Sequence, residues 1–308
     1  MRRAFINSLY RLAERDEKIH LLTADTGFTI LEKYRESFPD RYLNLGIAEA
    51  AMIGVAAGLA LSGKTVFCYT IVPFVTMRCF EQIRIDLCYQ NLPVKLVGVG
   101  QGWTYGSAGA THHAIEDIAV MRALPNMTVI CPGDPIETER AVEESLKLKG
   151  PCYIRLGKSG EPRIHKDDKI DFRIGKGIRI KQGERVALIA TSNMLPGAVE
   201  VAELLEGEGL HPELISMHTV KPIDRSLIME IAPACSLVAT LEEHSVIGGL
   251  GSAVGDVILE ENLPVRLLKF AIPDQYPQLV GSQSYLREIF GISPGQIFTR
   301  IKEELNKT

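Results

Sequence analysis

The chain lacks the marks of several whole classes of protein. Its six cysteines, Cys68, Cys79, Cys88, Cys131, Cys152 and Cys235, include no Cys-x-x-Cys pair. Four of them fall in stretches that read as buried strands or helix faces. This argues against a disulfide scaffold or structural zinc site and fits reduced thiols inside a cytoplasmic protein. Charge of one sign is missing too: Lys and Arg total 34 against 38 for Asp and Glu, a net charge of −4. No electrostatic footprint for nucleic acid or an anionic membrane is present, and small-molecule chemistry becomes the better prior. The longest apolar run, Ala50 to Leu61, is too short and too rich in Gly and Ala to span a bilayer. The opening "MRRAFINSLYRLAERDEKIH" sets Phe5, Leu9 and Leu12 on one helical face among charges, unlike the continuous apolar core of a signal peptide. No internal repeat and no low-complexity tract occurs, so solenoids and disordered tails are set aside.

What is present is ordinary globular sequence, 46% apolar and 23% charged over 308 residues. That length exceeds a typical domain of roughly 100–200 residues, so two compact units are expected. In the first half, short apolar runs alternate with longer patterned segments. "HLLTAD", "TVFCYT", "VKLVGVG" and "MTVICP" read as strands, with helices predicted over 47–61, 80–87 and 134–148. The rhythm predicts a mainly parallel sheet covered by helices. Asp134, Pro135 and Glu137 supply the cap, first-turn proline and box acid of the third helix. After "CYIRL" the pattern lapses into Gly, Pro and charge, which marks a boundary. A second α/β rhythm follows through "VALIAT", "ELISM", "LVATLEE" and "VRLLKF", closing on a helix capped by Ser293 with Pro294 behind it. The expected organisation is α/β throughout: one unit over 1–160, a linker over 161–175 and a smaller unit over 176–308.

One carboxylate is out of place. In "NLGIAEAAMIGVAAGLALSG", Glu49 stands before a run of small and apolar residues that looks destined for an interior. A buried ionised carboxylate without a partner is prohibitively costly. Taken alone, Glu49 reads either as a first-turn acid complementing the helix dipole or as an acid that hydrogen-bonds a ring nitrogen of a bound heterocycle. "GGLGSAVG" mimics a dinucleotide fingerprint, but "EEHSVI" separates it from the preceding strand, which a Rossmann turn does not allow.

Several separate motifs bear on that choice. "NLGIAEAAMIGVAAGLA" resembles the G-[IV]-x-E stretch of the transketolase family of thiamine diphosphate enzymes. "TMRCFEQIRIDLCYQNLPVKLVG" resembles that family's aromatic, Arg-rich helix leading into a strand, and "GATHHAIEDIAVMRALPNMTVICPGDPIE" its G-x-T-H loop. "HTVKPID" with "LEEHSVIGGLGSAV" resembles its C-terminal domain. The resemblance implies a pyrimidine-binding domain over 1–160 and a transketolase C-terminal domain over 176–308. It implies that Glu49 meets the aminopyrimidine of thiamine diphosphate and favours the tautomer whose amino group acts as base. Phe80 and Phe74 are candidates for the aromatic slot, with Tyr69 behind them, and Asp25 is an acid near the cofactor. His112 matches the family's substrate-facing histidine, with His113 adjacent. Lys158 falls where the family often carries an arginine for a sugar phosphate.

The departures from the pattern bear on substrate and assembly. Ser107 and Ala108 stand where sugar-using members carry an acid, and Gly100 where many carry a phosphate-binding histidine. No G-D-G motif followed by Asn, the family's Mg²⁺ site, is found. The resemblance therefore implies a half-enzyme. A partner resembling the N-terminal half of transketolase would bring Mg²⁺ and grip the diphosphate, in an α2β2 assembly around a homodimer core. The expected activity is transfer of a two-carbon ketol unit between sugars. The rivals are the beta subunit of a 2-oxo acid dehydrogenase's decarboxylating component, a deoxyxylulose-phosphate-synthase-like half, and a non-catalytic subunit that kept the fold.

Overall fold

A computed structural model describes residues 1–307. Its strands are β1 (Ile19–Thr23), β2 (Tyr42–Asn44), β3 (Thr65–Ile71), β4 (Val94–Val99), β5 (Thr128–Ile130), β6 (Cys152–Leu156), β7 (Ile178–Lys181), β8 (Arg185–Ala190), β9 (Glu213–Ser216), β10 (Thr219–Lys221), β11 (Cys235–Ser245) and β12 (Arg266–Ile272). They form two sheets. The first runs β10-β5-β6-β4-β3-β1-β2 and the second β12-β11-β8-β9-β7. Every pairing in the first sheet is parallel except the edge pair β10 with β5. Strand β7 likewise lies antiparallel on the edge of a parallel second sheet.

The sequence alternation explains why both sheets are covered on both sides. In β3, Val66 and Cys68 face a core shared with the Glu49–Leu61 helix and the π-helix Ile83–Tyr89, whereas Phe67 and Tyr69 face the opposite core with the Arg2–Ala13 helix. Successive strand side chains point to opposite faces, so a strand apolar at every position needs two layers of helices. The second sheet repeats the scheme. Leu188 of β8 packs with the Leu195–Glu206 and Pro294–Leu305 helices, and Ile189 with the Arg225–Ile231 and Leu250–Glu260 helices. All six cysteines are buried and free. Among the described residues no helix is long and apolar enough to cross a membrane.

Helix ends follow the local chemistry. Asp134 caps Pro135–Ser145 by accepting the Glu137 N–H at 2.8 Å. The Glu137 carboxylate itself accepts from Gly133 N–H at 2.6 Å and pairs with His165 Nε2 at 2.8 Å. The other Asp134 oxygen takes the N–H groups of Ile164 and His165 at 3.0 Å each, so the segment joining the sheets is strapped to the first. Phe172, on that segment, stacks on His218 at 3.8 Å. His218 leads into β10, the strand that the second half of the chain lends to the first sheet. The helix predicted over 80–87 divides into a short α-helical turn, Phe80–Gln82, followed by the π-helix. Such a bulge is frequent beside functional sites.

Candidate functional site

The carboxyl ends of β1, β3, β4 and β6 lie side by side, and the loops leaving them carry most of the candidate residues. Ligands of open α/β sheets bind outside such strand ends. Glu49 is the first residue of its helix and is 3% exposed. Its Oε2 accepts from Arg78 Nη1 at 2.7 Å. The guanidinium compensates the buried charge and lies 4.2 Å over the ring of Phe74. Phe74 meets the His112 ring edge-on at 5.2 Å, and His112 meets Tyr105 edge-on at 5.9 Å. The ammonium of Lys158 sits 4.6 Å over the Tyr105 ring. A continuous line of contacts therefore runs from Glu49 through Arg78, Phe74, His112 and Tyr105 to Lys158. Beside it, Asp25, Tyr69, Tyr105 and Arg2 line a cavity of 230 Å³.

The local reasons are readable. Asp25 sits in a turn at φ 49°, its N–H donating to Asn44 Oδ1 at 2.9 Å. Pro73 lies in the first turn of the Val72–Thr76 helix, which carries Phe74 away from β3 at once. Thr111 Oγ1 is 2.9 Å from His112 Nδ1, which leaves Nε2 as the imidazole nitrogen available to a ligand. Next to the acid, Cys79 is buried, and burial, with the nearby Glu49 charge, pushes its thiol up to about 12. It therefore stays a neutral thiol.

The His112 loop is held at both ends. Gly102 and Ala114 exchange N–H···O bonds of 3.0 and 2.9 Å. Glu243 of β11 accepts from Trp103 N–H at 2.7 Å, Asn193 Nδ2 at 2.9 Å, Gln283 Nε2 at 2.7 Å and Arg287 Nε. Gly102 is required there, because a Cβ would lie 2.1 Å from Glu243 Oε1 and φ is +55°. Arg155 of β6 is fully buried, bonds both Asp117 oxygens, and donates to Ala114 O at 2.8 Å and Glu243 O at 3.1 Å. The second sheet is thus part of the frame that fixes the loop.

Two candidates, Tyr69 and His113, sit otherwise than expected. Tyr69 is not behind Phe74 and Phe80; strand alternation turns it to the other face of the first sheet, where it stacks on Phe5 at 5.6 Å. It still reaches the cavity beside Asp25. Phe80, half-buried, packs against the core under the Glu49 helix, on the side where it was expected. His113 turns into its own loop, 2% exposed, with Nε2 3.1 Å from Gly106 O. Arg78, Arg2, Tyr105 and Glu243 were missed from sequence. The signal for Arg78 was its place two residues before Phe80 in "TMRCF".

A buried acid, an aromatic ring and an imidazole linked by contacts at the ends of a parallel sheet make this the candidate small-molecule site. Residues 1–162 match the family described as "Transketolase, pyrimidine binding domain" and residues 175–297 match "Transketolase, C-terminal domain". The chain belongs to the transketolase family and is a transferase subunit of it. A 6-deoxy-6-sulfo-D-fructose transketolase subunit of Clostridium sp. is 37% identical, over 96% of this chain and 92% of that protein. A subunit of the apulose-4-phosphate transketolase of Actinobacillus succinogenes is 34% identical, over 91% and 89%. A solved structure of a split gene transketolase, an inactive β4 tetramer, has TM-score 0.91 and 38% identity, covering 99% of this chain and 98% of that one. The family implies dependence on thiamine diphosphate.

Proposed function

We propose that this chain is the C-terminal subunit of a split transketolase, moving a two-carbon ketol unit from a ketose donor, free or phosphorylated, to an aldose acceptor. Thiamine diphosphate would lie between it and an N-terminal subunit that grips the diphosphate through Mg²⁺. The observation that carries this reading is the buried carboxylate of Glu49, held by Arg78, in a line of contacts that continues through Phe74 to His112. The residues fit the pyrimidine side of the cofactor, since a heterocycle with a basic ring nitrogen needs a dry acid and an aromatic wall. Among the described residues no group of three or more His, Cys, Asp or Glu that could hold an ion is found, and the reading assigns the metal side to the partner.

When bound, thiamine diphosphate supplies the nucleophilic carbon and electron sink that ketol transfer needs. Glu49 uses the oxygen that Arg78 leaves free to hold a proton against the ring nitrogen, in a site where low dielectric strengthens the bond. Phe74 lines the ring's slot, and Phe80 packs on the same side of the first sheet, under the Glu49 helix. His112 Nε2 donates to the carbonyl or hydroxyl oxygen of the sugar. Lys158 and Arg2 supply positive charge for an anionic end group, in keeping with the sulfonated and phosphorylated sugars in the names of two relatives.

The test is reconstitution with a chain carrying the G-D-G motif, thiamine diphosphate and Mg²⁺, following ketol transfer and 2-oxo acid decarboxylation side by side. Ketol transfer by the complex and no turnover by this chain alone are expected. Decarboxylation without ketol transfer would overturn the reading.

A further inference from the structure

The cavity beside Asp25 and Tyr69 has an unusual wall, and it arises from a glycine. Gly100 ends β4 at φ +95°, and a Cβ built on it would lie 2.1 Å from Tyr105 Cε2 and 2.3 Å from Cδ2. No other residue type leaves room there for the Tyr105 ring. The ring is seated on the Gly100 backbone, with Lys158 over its face and the His112 ring against its edge. Of the 101–110 loop, Tyr105 alone lines the 230 Å³ cavity among the described residues; Ser107 and Ala108 are exposed and contribute nothing to it. Burial holds the Tyr105 phenol above its ordinary value, partly offset by the nearby Arg2 charge, so the wall remains neutral and keeps its O–H.

We propose that Tyr105 is a specificity-determining residue: its ring, seated on Gly100 and set against the edge of the His112 ring, blocks the space beside the imidazole and restricts the donor to a short ketose. The inference rests on the ketol-transfer reading for its substrate class. It goes further in naming the residue that sets chain length. An aromatic wall can reject an added carbon only by steric exclusion, and a pocket that rejects one extra carbon discriminates by roughly 10–200-fold. A rigid ring with two rotatable bonds does this at little entropic cost.

The experiment uses the complex with its partner, thiamine diphosphate and Mg²⁺, and measures kcat/KM for ketose donors of increasing carbon number. Tyr105→Ala is expected to raise the ratio of long-donor to short-donor kcat/KM by about tenfold or more. Tyr105→Phe, which keeps the ring and loses only the hydroxyl, is expected to leave that ratio unchanged. Tyr105→Leu, smaller than the ring but still apolar, serves if the alanine variant does not assemble, and is expected to shift the ratio in the same direction. An equal fall for every donor, or a phenylalanine variant that behaves like alanine, would overturn the proposal. If the wild-type complex decarboxylates 2-oxo acids and transfers no ketol unit, the ketol-transfer reading fails. The same comparison over 2-oxo acids of increasing length then decides the role of Tyr105 separately.

Discussion

Replacing Arg155 by methionine probes the frame of the site most severely. The guanidinium is fully buried, with Nε 2.7 Å and Nη2 3.2 Å from the two oxygens of Asp117, and it also donates to Ser192 Oγ at 3.1 Å and to the carbonyls of Ala114 and Glu243. Arg155→Met leaves Asp117, itself unexposed, with the Tyr153 hydroxyl at 2.7 Å as its one side-chain donor among the described residues. Breaking a buried ion pair from one side costs about 3–5 kcal/mol, because the remaining charge is uncompensated. The Ala114 carbonyl keeps the Gly102 N–H at 3.0 Å, so the broken ion pair dominates the loss. Arg155→Met/Asp117→Leu removes both charges and is expected to recover about 2 kcal/mol or more of the loss, since an apolar pair of similar volume is often close to neutral. Urea unfolding of the wild type, the single variant and the double variant measures both values. A single-variant loss below about 1 kcal/mol, or a double variant no more stable than the single, would refute the reasoning.

Three further outcomes follow from the same geometry. Glu243→Ala frees Trp103 N–H and three side-chain donors at the foot of the His112 loop; in the reconstituted complex it should raise the donor KM while leaving thiamine diphosphate affinity, measured calorimetrically, within about threefold of wild type. Burial lowers the His218 imidazole to about 4, with Glu137, His165 and Asp224 the charged groups around it. A folded value below the unfolded 6.5 means that its stabilisation is present above pH 6.5 and lost as pH falls towards 4, by roughly 3 kcal/mol. His165, raised by its bond to Glu137 against the effect of burial, acts in the opposite sense and loses its contribution as pH rises. Urea titrations from pH 7 to 4 should therefore show stability falling with acid, and His218→Asn should flatten the slope. Lys158→Ala should weaken phosphorylated or sulfonated donors about tenfold or more while changing uncharged ketoses little, read as kcat/KM for matched pairs.

The parallel strands of the first sheet were legible because their apolar runs are continuous, and Glu49 because a lone acid before "AAMIGVAAG" demands an explanation. Asp134 and Ser293 cap the helices they were read to start, and the structure adds Asp224 as the cap of Arg225–Ile231. Other features depend on contacts that no window of sequence contains. Arg78 reaches Glu49 across 29 positions, and Glu243 holds Trp103 across 140. The three-residue β10 is too short to carry a period and becomes a strand only because β5 offers an edge. Tyr69 was misplaced relative to Phe74 because which face a strand residue takes is settled by register, which a list of aromatic candidates ignores. The motif singles out His112 over its neighbour His113, and the turn of the loop agrees: it sets the His112 ring against Phe74 and buries His113.

The most direct test of the central claim is Glu49→Gln in the complex reconstituted with the N-terminal subunit, thiamine diphosphate and Mg²⁺. Glutamine keeps the size of the side chain and an oxygen for Arg78 but cannot hold the acidic proton. With cofactor binding retained, kcat for ketol transfer is expected to fall by roughly 10²–10⁴-fold. Turnover within about threefold of wild type would show that Glu49 serves only the helix and the Arg78 pair, and the catalytic reading would fail.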